Sequence, residues 1–122
     1  MRLSAVTQLT MPNLREDLVY ERQADLCQVF SNPKRLKLLE LLQSGEEYTV
    51  SQLQTATDLP QSTVSRHLQL MRDRGVVDKR NDGVHSYYAL ADDRIAKSMR
   101  LMREILADQL EGEPGAPSYG RL

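Results

Sequence analysis

Residues 61 to 72 concentrate short polar and cationic side chains on one predicted helix. Val64, Leu68 and Met71 recur at i, i+4 and i+7, which predicts a helix with one apolar face. The groups on its other side can hydrogen-bond to base edges and phosphate oxygens, and the first half of the helix has no carboxylate. This combination suits contact with a DNA major groove. The candidate DNA contacts on this helix are Gln61, Ser62, Thr63, Ser65, Arg66 and Gln69.

A helix stop and a predicted β-hairpin follow. Gly75 suits the left-handed position at the end of a helix. Asp82-Gly83 is a strong turn signal between predicted strands at residues 76–80 and 84–90. The hairpin could contact flanking phosphates or the minor groove, or its polar residues could simply face solvent. Its candidate DNA contacts are Lys79, Arg80, His85 and Tyr87.

The segments before this helix predict how it is positioned. Thr49 and Gln52 form a capping-box pattern that starts a short helix, whose predicted inner face is Val50, Leu53 and Ala56. A tight turn at residues 58–60 then leads into the polar helix. Two short helices joined in this way form the helix-turn-helix pattern.

Longer helices are predicted on both sides of this unit. One spans residues 13–30, and Asn32-Pro33 starts a leucine-rich second helix. Asp92 or Asp93 caps a last helix. The expected fold is mainly α, with about five helices and a two-stranded wing. The apolar stripe of the last helix comprises Ile95, Met99, Met102, Leu106 and Leu110, widened by Leu101 and Ile105.

Length and composition limit the organisation and the environment. We predict a flexible N-terminal arm at residues 1–12, one domain at 13–110 and a flexible tail at 111–122. The single cysteine, Cys27, cannot form an intrachain disulfide, which indicates a reducing compartment. No apolar run is long enough to span a membrane, so a cytoplasmic location is expected. The net charge of the 122 residues is -1, which does not exclude a local basic surface.

The order of these elements and their local motifs resemble the ArsR/SmtB family of bacterial and archaeal transcriptional regulators. The resemblance covers roughly residues 24 to 106, and its most specific part is Ser-Thr-Val-Ser-Arg-His-Leu at residues 62–68, followed by Gly-Val-Val at 75–77. It implies a homodimer formed by the first and last helices, in which the fourth helix reads the major groove. The expected function is repression at an inverted-repeat operator in double-stranded DNA, with release by an unidentified inducer.

The chain also departs from the family pattern. Metal-sensing members carry a Cys-x-Cys pair on the third helix, whereas this segment is Tyr48-Thr49-Val50-Ser51-Gln52-Leu53. Residues 92–111 contain no His or Cys, so no metal site or cofactor is expected. No nucleophile-base pair, phosphate-binding glycine loop or paired carboxylate site is present, and we do not expect an enzyme.

Several residues admit two interpretations. Cys27 is either a small buried residue or a redox-responsive thiol close to its mate across a dimer axis. His67 is expected to pack or hydrogen-bond within the fold. Lys34, Arg35 and Lys37 could contact flanking phosphates or simply be charges at a helix start. A protein-interaction module that uses the same polar face is the alternative to a DNA-binding regulator.

Overall fold

The computed structural model describes residues 14–112. The predicted N-terminal arm lies outside these residues, as does the predicted tail after Gly112. Within this described range, five helices, one 3-10 turn and one hairpin follow each other in the expected order. They are α1 (Leu14–Gln28), the 3-10 turn (Val29–Ser31), α2 (Pro33–Leu42), α3 (Val50–Thr57), α4 (Gln61–Asp73), β1 (Val77–Asp82), β2 (His85–Leu90) and α5 (Asp93–Leu110).

Side-chain caps start three of the helices where the sequence predicts them. The Asn32 side chain accepts hydrogen bonds from the backbone amides of Lys34 and Arg35 and starts α2. Thr49 and Gln52 form the complete capping box of α3. Asp92 caps α5, and hydrogen bonds from Arg94 lower the pKa of the Asp92 carboxyl to about 2. These bonds satisfy amides that have no partner within the helix.

The core lies where α2, α3, α4 and the hairpin meet. Leu38, Leu39 and Leu42 line its α2 side and are fully buried. Burial of such side chains removes apolar surface from water, which is the main favourable term in folding. The rest of the core cluster comprises Val29, Leu53, Val64, Leu68, Met71, Val76, Val77, Tyr88 and Met99.

The hairpin is shifted by one residue from its predicted turn. Asp82 pairs with His85, so the loop consists of Gly83 and Val84 rather than Asp82 and Gly83. Gly83 has a φ of +62°, a conformation that glycine adopts without strain. An isolated bridge also pairs Tyr48 with Tyr88, through backbone hydrogen bonds of 2.9 and 2.8 Å. This bridge was not predicted from the sequence; it joins the segment before α3 to the base of the hairpin.

The apolar faces of α3 and α5 differ from those predicted from the sequence. Ala56 is exposed, so the inner face of α3 consists of Leu53 with half-buried Val50. The stripe of α5 divides, because Met99 enters the core while Leu101 and Ile105 remain 60% and 51% exposed in the single chain. Leu18, Val19 and Tyr20 of α1 are also exposed.

Among the described residues, no helix combines the length and apolar character that a bilayer span requires.

Candidate nucleic-acid interface

A short turn orients α4 relative to α3. Asp58 has a φ of +57°, and its amide donates to the carbonyl of Gln54 at 2.8 Å. Left-handed residues commonly end helices in this way. Leu59 and Pro60 complete the turn, and Pro60 starts α4 without a side-chain cap. The two helices therefore form the predicted helix-turn-helix.

The polar residues of α4 lie outside and its apolar residues lie inside. Val64, Leu68 and Met71 are completely buried. Ser62, Ser65, Arg66 and Gln69 are exposed and, at 3.6 residues per turn, share the face opposite the core. Gln61 is exposed at the helix start, whereas Thr63 is half-buried at the flank of this face. We call the exposed set of Ser62, Ser65, Arg66 and Gln69 the α4 polar face.

Arg66 and Gln69 differ in how much of their hydrogen-bonding capacity is free. Within residues 14–112, the guanidinium of the exposed Arg66 side chain forms no hydrogen bond or ion pair. The Gln69 side-chain nitrogen donates to Asp73 at 2.9 Å. The Gln69 amide therefore keeps a free acceptor oxygen, while Arg66 keeps the full planar set of donors that suits a guanine edge.

Strand register separates the four predicted wing residues onto two faces. Arg80 is paired with Tyr87, and His85 lies on the same face because side chains alternate along a strand. The rings of His85 and Tyr87 are 6.3 Å apart, consistent with this shared outer face. Lys79 is paired with buried Tyr88 and therefore lies on the opposite face, where it is half-buried.

Arg80 is held in place by three neighbours. Its Nε donates to Glu47 Oε2 at 2.8 Å, and its Nη1 lies 3.8 Å from Asp82 Oδ2. The guanidinium carbon lies 4.7 Å from the centre of the Tyr87 ring, which is a cation–π distance. The hydrogen bond to Glu47 raises the pKa of Arg80, so this side chain remains cationic. A phosphate at the wing must therefore compete with Glu47 for Arg80.

His67 is the buried polar residue of the described core, at 7% exposure. Its Nδ1 lies 3.5 Å from Nη1 of Arg35, which confirms that it makes a polar contact within the fold. Burial lowers the pKa of His67, and the nearby cations Arg35, Arg66 and Lys34 lower it further. The contact between His67 and Arg35 was not predicted from the sequence, because the two residues lie on different helices.

Cys27 is exposed in the single chain, so the prediction that it is a small buried residue is wrong there. It follows Leu26, which is 43% exposed on α1. Within residues 14–112, no three His, Cys, Asp or Glu side chains cluster closely enough to hold a metal ion.

A helix-turn-helix followed by a two-stranded hairpin defines a winged helix-turn-helix domain. Residues 32–79, from the cap of α2 into β1, match the bacterial regulatory proteins of the arsR family. An uncharacterised HTH-type transcriptional regulator of Methanocaldococcus jannaschii is 31% identical over 86 residues, which are 70% of this chain and 97% of that protein. The transcriptional repressor PagR of Bacillus anthracis is 35% identical over 91 residues, covering 74% and 90% of the two chains.

Solved structures agree with this assignment. The homodimeric winged helix-turn-helix DNA-binding domain of a possible ArsR-family regulator from Mycobacterium bovis superposes with a TM-score of 0.74 at 29% identity. The alignment covers 82% of this chain and 92% of that domain. The chain belongs to the ArsR family. It is a transcriptional regulator of the ArsR/SmtB type with a winged helix-turn-helix DNA-binding fold.

Proposed function

We propose that this protein is a homodimeric, sequence-specific transcriptional repressor that binds an inverted-repeat operator. The α4 polar face carries this proposal. It presents hydroxyl, amide and guanidinium groups on a helix whose opposite side is locked into the core. Ser62, Ser65, Arg66 and Gln69 are the proposed base and phosphate contacts, with Gln61 and Thr63 at the margins. Residues 13–110 form the proposed DNA-binding and dimerisation domain.

The proposed wing contacts fall into two classes. Arg80, His85 and Tyr87 share the outer face of the hairpin, where they can follow the flanking DNA backbone together. Lys79 lies on the other face, opposite Tyr88 near the base of the hairpin, and would contact DNA separately from these three residues. Contacts of this kind position a protein on a duplex without reading its sequence.

Exposed apolar residues on α1 and α5 support a dimer. Leu101, Met102 and Ile105 of α5 form an exposed stripe, and Leu18 and Val19 add to the apolar surface of α1. Exposed apolar patches commonly mark protein interfaces. The related M. bovis domain is homodimeric. A two-fold axis through these helices would place two copies of α4 in successive major grooves, ~34–36 Å apart.

The proposal is tested by selecting duplexes from a random pool. The selected duplex is then titrated with the protein at several salt concentrations, and anisotropy measures the binding. We expect enrichment of an inverted repeat. We also expect binding to weaken steeply with salt, because each phosphate contact releases counterions and contributes ~0.9 to the slope of log K against log salt concentration. The selected repeat is called the operator duplex below, and a scrambled duplex of equal composition is its control. If the pool shows no enrichment, the alternative of a protein-interaction module gains support.

The Glu47–Arg80 ion pair leads to a prediction about the wing. We expect Glu47→Gln to strengthen binding to operator and scrambled duplexes alike and to steepen the salt slope by up to ~0.9, because Arg80 becomes free to contact a phosphate. Anisotropy titrations in a salt series measure both effects. Glu46→Gln is the matched control, because it removes the same charge from the neighbouring residue, which bonds to Tyr48. In an Arg80→Ala background, Glu47→Gln should have no further effect; a persistent gain there would exclude release of Arg80 as the cause.

A redox-responsive regulator is the second candidate, and the exposure of Cys27 favours it. The thiol lies next to Leu26 on α1, the helix proposed to form the dimer interface. This candidate predicts that oxidation crosslinks two subunits and changes operator binding, whereas Cys27→Ser is insensitive to oxidant. Non-reducing gels and anisotropy before and after diamide treatment measure both. Unchanged binding by the oxidised parent would eliminate this candidate and leave the repressor proposal intact.

A further inference from the structure

Arg35, on α2, contacts the end of α1, the 3-10 turn that follows it and the inner side of α4. Its backbone belongs to the first turn of α2, where its amide donates to the Asn32 cap. Its side chain turns back toward α1: Nε donates to the carbonyl of Val29 at 2.9 Å, and Nη2 donates to that of Gln28 at 3.1 Å. Carbonyls at the end of a helix lack partners within the helix, and a cation is favourable there. Arg35 thus fixes α2 to the end of α1.

The remaining guanidinium nitrogen of Arg35 faces α4. Nη1 lies 3.5 Å from Nδ1 of His67, at the long end of the hydrogen-bond range. Because arginine only donates, this contact requires His67 Nδ1 to be an unprotonated acceptor. The charges around the imidazole also favour its neutral form, because Lys34 and Arg35 on α2 and Arg66 on α4 are all cationic and lower the pKa of His67. A neutral His67 is therefore the form that fits beside Arg35.

The position of His67 on α4 gives this contact a functional consequence. His67 lies between exposed Arg66 and buried Leu68, on the inner side of the helix. A group that holds His67 also limits rotation of α4 about its own axis. That rotation decides where Ser65 and Arg66 point, because side chains radiate from the helix at 100° per residue. Direct readout requires bidentate groups to meet a base edge with correct geometry.

We propose that Arg35 is a positioning residue that orients α4, the proposed recognition helix, through His67, and that it is not a phosphate contact. The inference rests on the proposed function, because it assigns a role within the same DNA-binding site. Its three guanidinium nitrogens already have partners in the protein, in contrast to the exposed side chains of Lys34 and Lys37 on the same helix. The two roles predict opposite results in a salt series.

The experiment compares the parent with Arg35→Ala, Arg35→Lys and the control Lys37→Ala on the operator and scrambled duplexes. We expect both Arg35 variants to reduce the operator preference by roughly tenfold or more, while the salt slope stays unchanged. Lysine keeps the charge, but its donors all lie on one nitrogen and cannot reproduce the planar fork that reaches two carbonyls and an imidazole, so it should not rescue binding. Lys37→Ala should keep the preference. An Arg35→Ala variant that keeps the preference and loses ~0.9 from the salt slope is a phosphate-contact mutant, and the proposal is then wrong.

Two further measurements keep the test decisive if Arg35→Ala folds poorly. His67→Gln retains an acceptor for Arg35 and should keep most of the preference, whereas His67→Leu should lose it; equal behaviour of these two variants would contradict the proposal. NMR titration without DNA should show the pKa of His67 rising toward 6.5 in Arg35→Lys or Arg35→Ala, because a neighbouring cation has moved or gone. If the parent itself does not prefer the operator duplex, the proposed function fails. If the parent prefers the operator duplex and the Arg35 variants show the same preference, only the positioning role fails.

Discussion

Replacement of Arg66 with alanine is expected to remove most of the discrimination between operator and scrambled duplexes. A bidentate contact between arginine and a guanine edge contributes ~1–3 kcal/mol of discrimination, so the preference should fall by roughly 5- to 150-fold. Arg66 is suited to this contact because its guanidinium forms no hydrogen bond or ion pair within residues 14–112. Its side chain is exposed, so the substitution removes no core packing. Anisotropy titration of both duplexes at one salt concentration measures the change.

Arg72 provides the matched control on the same helix. It is also an exposed arginine, but it lies in the last turn of α4, away from the start of the helix that enters the groove. Arg72→Ala should therefore weaken binding to the operator and scrambled duplexes by the same factor, or leave binding to both unchanged. If Arg66→Ala binds the operator as tightly as the parent does, α4 is not the recognition helix and the polar face must serve another purpose.

Ile105→Glu is expected to separate the two subunits and to abolish tight operator binding. Ile105 is 51% exposed on α5, beside Leu101 and Met102, in the surface proposed to meet a second copy. Each dimer then places two carboxylates in an apolar interface, where an unpaired charge is costly to desolvate. A monomer engages one half-site at a time and loses the avidity of two linked sites, about 10²- to 10⁴-fold. Analytical ultracentrifugation measures the mass, and anisotropy measures the loss of binding.

Arg100→Gln controls for charge in this experiment. It changes the net charge by the same amount at a half-buried position of α5 that lies, at 100° per residue, about 140° around the helix from Ile105. The parent and Arg100→Gln should both sediment as dimers and bind the operator equally. A dimeric Ile105→Glu protein would show that the subunits meet through another surface, and the roles proposed for α1 and α5 would have to be withdrawn.

The parts of the fold that depend on neighbouring residues could be predicted from the sequence. The Asn32 cap, the Thr49–Gln52 capping box and the left-handed Gly75 each act within about one helical turn, so local patterns contain the information. The division of α4 into a buried and an exposed side follows in the same way from helical spacing. The winged helix-turn-helix fold and the ArsR family were predicted from these elements and are confirmed.

Contacts between distant residues could not be predicted in this way. Arg35 and His67 are 32 residues apart, and Arg80 and Glu47 are 33 apart. Neither pair follows a sequence period, because each depends on how separate elements pack. The exposure of Cys27 was missed for the same reason, since an apolar neighbourhood in sequence does not determine which side of α1 meets the core. The proposed DNA contacts remain predictions, although the structure shows that Lys79 and Arg80 lie on opposite faces.

The bridge between Tyr48 and Tyr88 divides the hairpin into regions of different local stability. The backbone N–H and C=O of Tyr88 are both hydrogen-bonded to Tyr48, on the side of β2 away from β1, and its ring is buried. Gly83 and Val84 at the tip have no such support, and Val84 is 95% exposed. Amide exchange should therefore be slow at Tyr88 and fast near Val84, as expected where opening costs little free energy. The conformational entropy lost on binding DNA would then come mainly from the tip, and the base of the wing would keep its place beside α3.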